Sequence, residues 1–165
     1  MVSVVVIALL GTLQSVLVSS LSLGGARVDL ALLVVVCWGL VRDHRTALVW
    51  GLLSGLTLDL LSVVPPGTYT LALSVSAVLA TFGLDVGVEG APMQAGAVAF
   101  ATLCYRALLY GILLASGVAV GWDLSLMGEA FASAALNGLL APFVYWFLHG
   151  INKRIHRDLQ RELQF

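Results

Sequence analysis

Hydrophobic residues fall into long runs along the chain, and short breaks containing polar residues, glycine or proline separate these runs. The runs extend over Val2–Leu23, Val28–Val41, Thr46–Val64, Tyr69–Leu84, Pro92–Val120 and Leu126–His149. A membrane-spanning helix needs about 20 predominantly apolar residues. The pattern therefore predicts an all-α integral membrane protein with six transmembrane helices, forming a single domain over residues 1–150.

The second run is the shortest of the six, and it is shorter than an ordinary membrane span. Charged residues bracket it, with Arg27 and Asp29 at its beginning and Arg42 after its end. Long arginine side chains can reach the membrane surface from the ends of a short helix, so we interpret this run as a short span. If it does not span, the alternative is a protein with five passes and an outside N-terminus.

Basic residues outside the runs predict the orientation in the membrane. Arg42 and Arg45 lie between the second and third runs, and Lys153, Arg154, Arg157 and Arg161 follow the sixth. With six passes both groups lie on one side. We therefore expect a multi-pass protein of the cytoplasmic membrane whose N- and C-termini are cytoplasmic.

Composition agrees with this class of protein and excludes several functions. The chain has 165 residues, of which 60% are hydrophobic and 10% are charged, and its mean hydropathy is +1.02. Soluble domains carry about 25% charged residues, and the six spans leave no room for a soluble catalytic or nucleic-acid-binding domain. Cys37 and Cys104 lie inside apolar runs, which indicates buried thiols.

Motifs for catalysis or for metal binding do not stand out. No phosphate-binding loop, nucleophile elbow or metalloprotease motif occurs. The three histidines, His44, His149 and His156, fall at predicted membrane boundaries without a carboxylate cluster. We therefore expect a protein that is not an enzyme and needs neither a metal nor a cofactor.

The segment 151–165 forms a separate cytoplasmic tail in this interpretation. Ile151, Ile155, Leu159 and Leu163 recur every four residues with basic residues between them. This spacing is typical of a basic amphipathic helix that lies on an anionic lipid surface. A solvated anchor following the last span and a helix that binds a partner are the alternatives.

Polar residues inside the runs are costly in hydrocarbon and so indicate a function or a specific pairing. One such residue lies in each of four runs: Gln14, Asp59, Arg106 and Asn137. Counted from the cytoplasmic ends, the four fall at a similar depth. We expect them to form one polar layer in which Asp59 pairs with Arg106. Such a pair either fixes the packing of the helices or belongs to a proton or substrate pathway, although a pathway usually has ionisable groups at several depths.

Small residues define one face of each of the helices that carry this layer. Gly51, Gly55, Asp59 and Ser62 share a side of the third run. The fifth run has Ala95, Ala99, Thr102 and Arg106 on one side, and the sixth has Ser133, Asn137, Ala141 and Tyr145. Small residues allow close approach of helices in lipid, so we expect these faces to pack together.

Two of these stretches resemble the family of the rod shape-determining protein MreD. The segment from Gly51 through Gly55 and Asp59 to Pro65-Pro66-Gly67 is similar to the family's third helix, in which a glycine-rich helix carries an aspartate and ends in a Pro-Leu-Gly turn. The segment Leu136–Tyr145, with Asn137 and Pro142 and a basic tail after it, resembles the last helix. Asp29-Leu30 is similar to the family's Pro-Asp-Leu, but Val28 and Pro66 depart from the pattern.

The resemblance implies a non-enzymatic scaffold of the bacterial cell-wall elongation machinery, in which peptidoglycan synthesis and cell shape are controlled. It implies binding to MreC, a single-pass membrane protein, and through MreC an indirect connection to MreB, RodA and a class B penicillin-binding protein. We expect the partner's span to dock on small-residue faces, with Gly51, Gly55, Ala141 and Pro142 as the binding residues, and membrane lipids to cover the rest.

The same resemblance also implies an alternative function. The family's fold is similar to that of the substrate-binding subunits of energy-coupling-factor transporters, so a vitamin-binding subunit of such a transporter is the alternative function, followed by another small transporter or channel. A shared fold does not decide between them. A vitamin pocket requires aromatic and polar groups near the outer face. The predicted outer loops are short there and offer few such residues beyond Arg27, Trp122 and Asp123.

Overall fold

The computed structural model describes residues 22–23, 26–82, 90–117 and 124–162. Across these residues the protein is helical apart from a short two-stranded ribbon. The elements are β1 (Ser22–Leu23), β2 (Ala26–Arg27), α1 (Leu30–Val41), α2 (His44–Leu61), α3 (Thr68–Thr81), α4 (Ala91–Ala115) and α5 (Leu124–Glu162). The strands β1 and β2 are antiparallel, with Ser22 opposite Arg27.

Helix α1 is the central helix of the described bundle. Nine of its twelve residues are buried, and it contacts each of the other four helices. A helix that is apolar on all sides belongs in a core rather than on a surface. At about 1.5 Å per residue α1 is about 18 Å long. Contacts with the other described helices bury most of this short helix.

Local sequence explains where the helices begin and end. The side chain of Asp43 accepts a hydrogen bond from the backbone N–H of Thr46 at 2.8 Å, which caps the start of α2. The turn Pro65-Pro66-Gly67 separates α2 from α3, and Gly67 has a φ of 92°, a conformation that favours glycine. Helix α4 has a proline in its first turn, where the missing N–H costs nothing.

Helices α1 and α5 run in the same direction, side by side. At one end, the backbone N–H of Arg27, just before α1, donates to the hydroxyl of Ser133 in α5 at 3.0 Å. Further along both helices, the thiol of Cys37 donates to the carbonyl oxygen of Ala141 at 3.7 Å. The end of α1, which Arg42 follows, and the Lys153 end of α5 therefore point the same way.

The outer surface of the bundle is strongly apolar. Leu60 on α2 is 80% exposed, and Leu139, Phe143 and Trp146 on α5 are each more than 70% exposed. Within the described residues, two helical segments are long and apolar enough to cross a membrane, judged by length and composition: Ala91–Ala115 and Leu126–Lys153. The other helices are shorter or less apolar.

The second to fifth predicted helices correspond to α1–α4 with shifts of a few residues at their ends, and the sixth corresponds to α5, which extends well beyond the predicted end at His149. The second run forms a helix that begins at Leu30 rather than Val28, and the third ends at Leu61 rather than Val64. Ser22 and Leu23, predicted to end a first helix, lie in β1. Helix α5 continues without interruption from Leu124 through the predicted tail to Glu162. The rest of the first run, including Gln14, lies outside the described residues.

Candidate functional site

A buried arginine is the centre of the polar groups inside the bundle. Arg106 of α4 is 6% exposed. Its Nη2 atom lies 3.3 Å from Oδ2 of Asp29 and 3.2 Å from the hydroxyl of Ser133, and its Nη1 atom lies 3.6 Å from Oε1 of Glu129. The sequence-based pairing of Arg106 with Asp59 is therefore wrong, because Asp29 and Glu129 are the carboxylates beside this guanidinium.

A second arginine extends this charged group to the surface. The Nε atom of Arg27 lies 3.3 Å from Oε1 of Glu129, and the side chain of Arg27 is 59% exposed. Arg27, Asp29, Arg106 and Glu129 thus form a cluster of two positive and two negative groups, which we call the charge cluster. Because the signs balance and the groups lie in contact, the cost of burying each charge is reduced.

The chain segment before α1 lies against this cluster without being helical. The backbone N–H of Arg27 donates to Ser133, and the backbone N–H of Asp29 donates to Oδ1 of Asn137 at 3.3 Å. Asn137 also donates from its amide nitrogen to the hydroxyl of Thr102 at 3.3 Å. Buried backbone that is not helical needs hydrogen-bond partners from elsewhere in the protein, and here the side chains of α5 supply them.

Asp59 has a different role from the one its sequence position indicates. It lies in the last turn of α2, and its carboxylate accepts hydrogen bonds from the backbone N–H groups of Gly67, Tyr69 and Thr70 at 3.0, 2.8 and 3.1 Å. The hydroxyl of Thr70 donates to it as well, at 2.5 Å. The first N–H groups of a helix have no partner within the helix, and a carboxylate there is favoured by the helix dipole. Asp59 therefore caps α3 across the proline turn.

The glycines of α2 lie at the contact between α2 and α3. A Cβ atom placed on Gly51 would come within 2.9 Å of the Cα atom of Ser74, and one on Gly55 would come within 2.9 Å of the backbone nitrogen of Thr70. Both glycines are buried. The prediction that Gly51 and Gly55 bind a partner's helix is therefore wrong, because α3 of the same chain covers both glycines.

The small residues of α4 and α5 also pack within the chain. A Cβ atom on Gly138 would lie 3.0 Å from the carbonyl oxygen of Ala95 and 3.4 Å from Cβ of Ala99. Ala141 is fully buried and contacts Cys37. Pro142 is half-buried inside a continuous helix. Of the four predicted partner-binding residues, only Pro142 keeps part of its surface open.

The structure brings together some of the predicted polar layer and separates the rest. Arg106 and Asn137 belong to one connected network through Ser133 and Asp29, whereas Asp59 is occupied by the start of α3. Sequence reasoning missed Glu129 and the part that Asp29 plays. Glu129, Ser133 and Asn137 recur every four residues on one face of α5, and this spacing is a signal that extends the predicted polar stripe by one turn.

The arrangement is suited to holding helices together. Each charged group of the cluster has an opposite charge in contact, and the four bonds to Asp59 satisfy its carboxylate. Among the described residues, no group of three or more His, Cys, Asp or Glu side chains is placed to hold a metal ion.

Comparison with known proteins does not assign this chain to a family. No protein-family model, no curated protein and no solved structure matches the chain.

Proposed function

We propose that this chain is a non-enzymatic, multi-pass scaffold of the bacterial inner membrane, similar to the MreD family, that helps organise the cell-wall elongation machinery. Its partner in this role is a single-pass protein of the MreC type. Through that partner it connects to MreB, RodA and a class B penicillin-binding protein.

One observation carries the proposal: both stretches that resemble the family consist of residues on which the packing of this bundle depends. In the first, Gly51 and Gly55 allow α3 to approach α2, and Asp59 caps α3 after the turn. In the second, Asn137 holds the backbone that enters α1. Residues with such roles cannot be exchanged freely, so their order and spacing are a more specific sign than apolar composition.

The packing also supports the proposed topology of six passes with cytoplasmic termini. Arg42, Arg45 and Lys153 lie at the same end of the described bundle, because α1 and α5 are parallel. Clusters of lysine and arginine favour the cytoplasmic side. In this topology α1 is one of the six passes. The strands β1 and β2 before it lie between α1 and the outer face of the membrane.

The partner's span is proposed to lie on the lipid-facing side of α5 next to Pro142. Gly51, Gly55 and Ala141 are covered within the chain, so these residues no longer serve as the docking surface. Beside Pro142, Leu139 is 77% exposed and Phe143 is 72% exposed. Pro142 removes one backbone donor from α5, and its ring is half-buried, so part of it is open to contact with a partner helix.

Site-specific crosslinking in the native membrane tests this proposal. A photoreactive residue at Phe143 is expected to capture a protein with one transmembrane span and a large extracytoplasmic domain. The same residue at Leu60, 80% exposed on α2, is the matched control and is expected to capture lipid. Capture of an ATPase module at either position, with no single-span protein, would contradict the proposal and favour the transporter subunit. Capture of a single-span partner only from Leu60 would agree with the proposed scaffold function. It would contradict the proposal that the partner docks on α5 next to Pro142.

A further inference from the structure

Helix α5 extends well beyond α1 at one end of the bundle. The thiol of Cys37 in α1 contacts the carbonyl oxygen of Ala141 in α5, and the two helices are parallel. Helix α1 ends at Val41, four residues after Cys37, and the same distance along α5 leads to Tyr145. Helix α5 continues to Glu162, which is about 25 Å further. This part of α5 therefore projects past the end of α1 and the turn that leads into α2.

The side of α5 that is buried in the bundle becomes exposed in this projecting part. Ser133 and Asn137 are fully buried. Ile151 follows Ser133 by 18 residues, which is about five helical turns, and so it lies on the same side of α5. It is nevertheless 37% exposed. Ile155 and Leu159 follow at intervals of four residues, and their positions stay on this side of the helix. An apolar stripe therefore continues beyond the helices that cover it inside the bundle.

This stripe points away from the lipid-facing side of α5. Leu139 and Trp146, which are 77% and 73% exposed, belong to that lipid-facing side. Trp146 lies about 140° around the helix from Ile151, since an α-helix turns about 100° per residue. The stripe that begins at Ile151 therefore faces the space below the ends of α1 and α2. In the proposed topology this space is cytoplasmic, so a water-soluble protein can reach it.

Basic residues border the same space. Arg42 follows α1, and His44 and Arg45 begin α2, and all three are exposed. Asp43, the acidic residue of this turn, caps α2 by accepting a hydrogen bond from Thr46. An apolar stripe bordered by positive charge is complementary to an amphipathic helix whose polar face is acidic.

We propose that this space binds an acidic amphipathic helix of a cytoplasmic protein. The apolar face of that helix packs on Ile151 and on the positions of α5 that continue its stripe, and its carboxylates pair with Arg42 and Arg45. The docking surface proposed next to Pro142 lies on the lipid-facing side of α5, so the cytoplasmic protein and the single-span partner can bind at the same time. Only the assignment of this space to the cytoplasm rests on the proposed function.

The binding of two synthetic peptides to the full-length protein in phosphatidylcholine nanodiscs tests this proposal. Both peptides are amphipathic helices with the same apolar face, and their polar face carries either glutamate or lysine. Fluorescence anisotropy measures their Kd. Ile151→Ala removes apolar surface from the stripe, and Arg45→Gln removes one positive charge. Trp146→Ala is the matched control, because it removes a larger apolar side chain from the lipid-facing side of α5.

We expect the glutamate peptide to bind about tenfold more tightly than the lysine peptide. Ile151→Ala and Arg45→Gln should each raise the Kd of the glutamate peptide about fivefold. Trp146→Ala and Ile151→Leu should leave this Kd unchanged, and Ile151→Leu distinguishes loss of the contact from loss of the fold. Equal affinity of the two peptides, or an unchanged Kd in Ile151→Ala, would overturn the proposal.

Equal binding to nanodiscs without the protein would overturn it in favour of adsorption to lipid. Because peptides reach both faces of a nanodisc, the result does not depend on the proposed orientation. Failure here therefore leaves the proposed scaffold function to its own crosslinking test.

Discussion

The carboxylate of Asp59, in the last turn of α2, accepts the backbone N–H of Tyr69 in the first turn of α3 at 2.8 Å. One side chain therefore connects the end of one helix to the beginning of the next, across a turn with two prolines and a left-handed glycine. Three further hydrogen bonds, from Gly67 and Thr70, converge on the same carboxylate. An acidic residue in an apolar helix is explained here without any transport or catalysis.

Replacement of Asp59 by alanine is expected to lower the free energy of unfolding by about 2–3 kcal/mol, because it leaves the first N–H groups of α3 without partners. Thermal or denaturant unfolding in mild detergent measures this loss. Asp43→Ala is the control, since Asp43 accepts one backbone bond at the start of α2 and should give a smaller loss. Equal effects of the two substitutions would contradict the capping role of Asp59.

Because Arg106 contacts Asp29, we expect their substitutions to have non-additive effects on the free energy of unfolding. A double-mutant cycle measures this coupling energy. Arg106→Leu alone leaves the half-buried carboxylates of Asp29 and Glu129 with less compensation, and we expect a loss of about 3 kcal/mol in the free energy of unfolding. Adding Asp29→Leu should recover part of this loss, with a coupling energy of about 0.5–3 kcal/mol.

The same cycle with Asp59 in place of Asp29 is the control for this coupling. Arg106→Leu and Asp59→Asn are expected to be additive within about 0.5 kcal/mol, because the two side chains have separate partners. If Arg106 proved coupled to Asp59 and not to Asp29, the arrangement of the charge cluster described here would be wrong.

We expect the substitution of glycine by alanine to change stability in opposite directions at two positions inside helices. Gly55→Ala places a methyl group within 2.9 Å of the backbone nitrogen of Thr70, and we expect it to destabilise the protein by about 1–3 kcal/mol. Gly96→Ala meets nothing within 4 Å. It should stabilise α4 by about 0.5–1 kcal/mol, because alanine favours a helix more than glycine does. Unfolding midpoints that move in the same direction would contradict the described approach of α2 and α3.

The hydrogen bonds to Asp43 predict that the stability of the protein depends slightly on pH. Hydrogen bonds from the side chain and backbone of Thr46 hold the pKa of Asp43 below its ordinary value. A carboxylate with a lowered pKa in the folded state contributes stability that is present above its unfolded pKa, near pH 4, and is lost as the pH falls through the folded pKa. Unfolding midpoints of the protein and of Asp43→Asn are expected to differ at neutral pH and to converge in acid. A constant difference would contradict this assignment.

The sequence predicts the helices well because their signals are local. Apolar runs define α1 to α5, and Pro65-Pro66-Gly67 and Pro92 identify the boundaries of α2, α3 and α4 within a few residues. The predicted small and polar faces of α4 and α5 are also confirmed as buried faces. Their buried residues include Thr102, Arg106, Ser133, Asn137 and Ala141.

The pairing of charges is not local, and here the prediction fails for an identifiable reason. A continuous helix to Val64 places Asp59 well inside the third run, at the depth of Arg106. The helix in fact ends at Leu61, so Asp59 lies in the final turn and faces the next helix. The sequence pattern also places Asp29 at the polar flank of a span. The segment Arg27–Asp29 instead enters the bundle as non-helical chain, which hydrophobic periodicity does not reveal.

We propose that this bundle serves as a membrane scaffold for a single-span partner. Native mass spectrometry of the protein, gently extracted from its own membrane at native expression levels, tests this proposed role. We expect a co-purifying protein with one transmembrane span and a large extracytoplasmic domain. A bound molecule of vitamin size, or an ATPase module in the absence of such a partner, would contradict it.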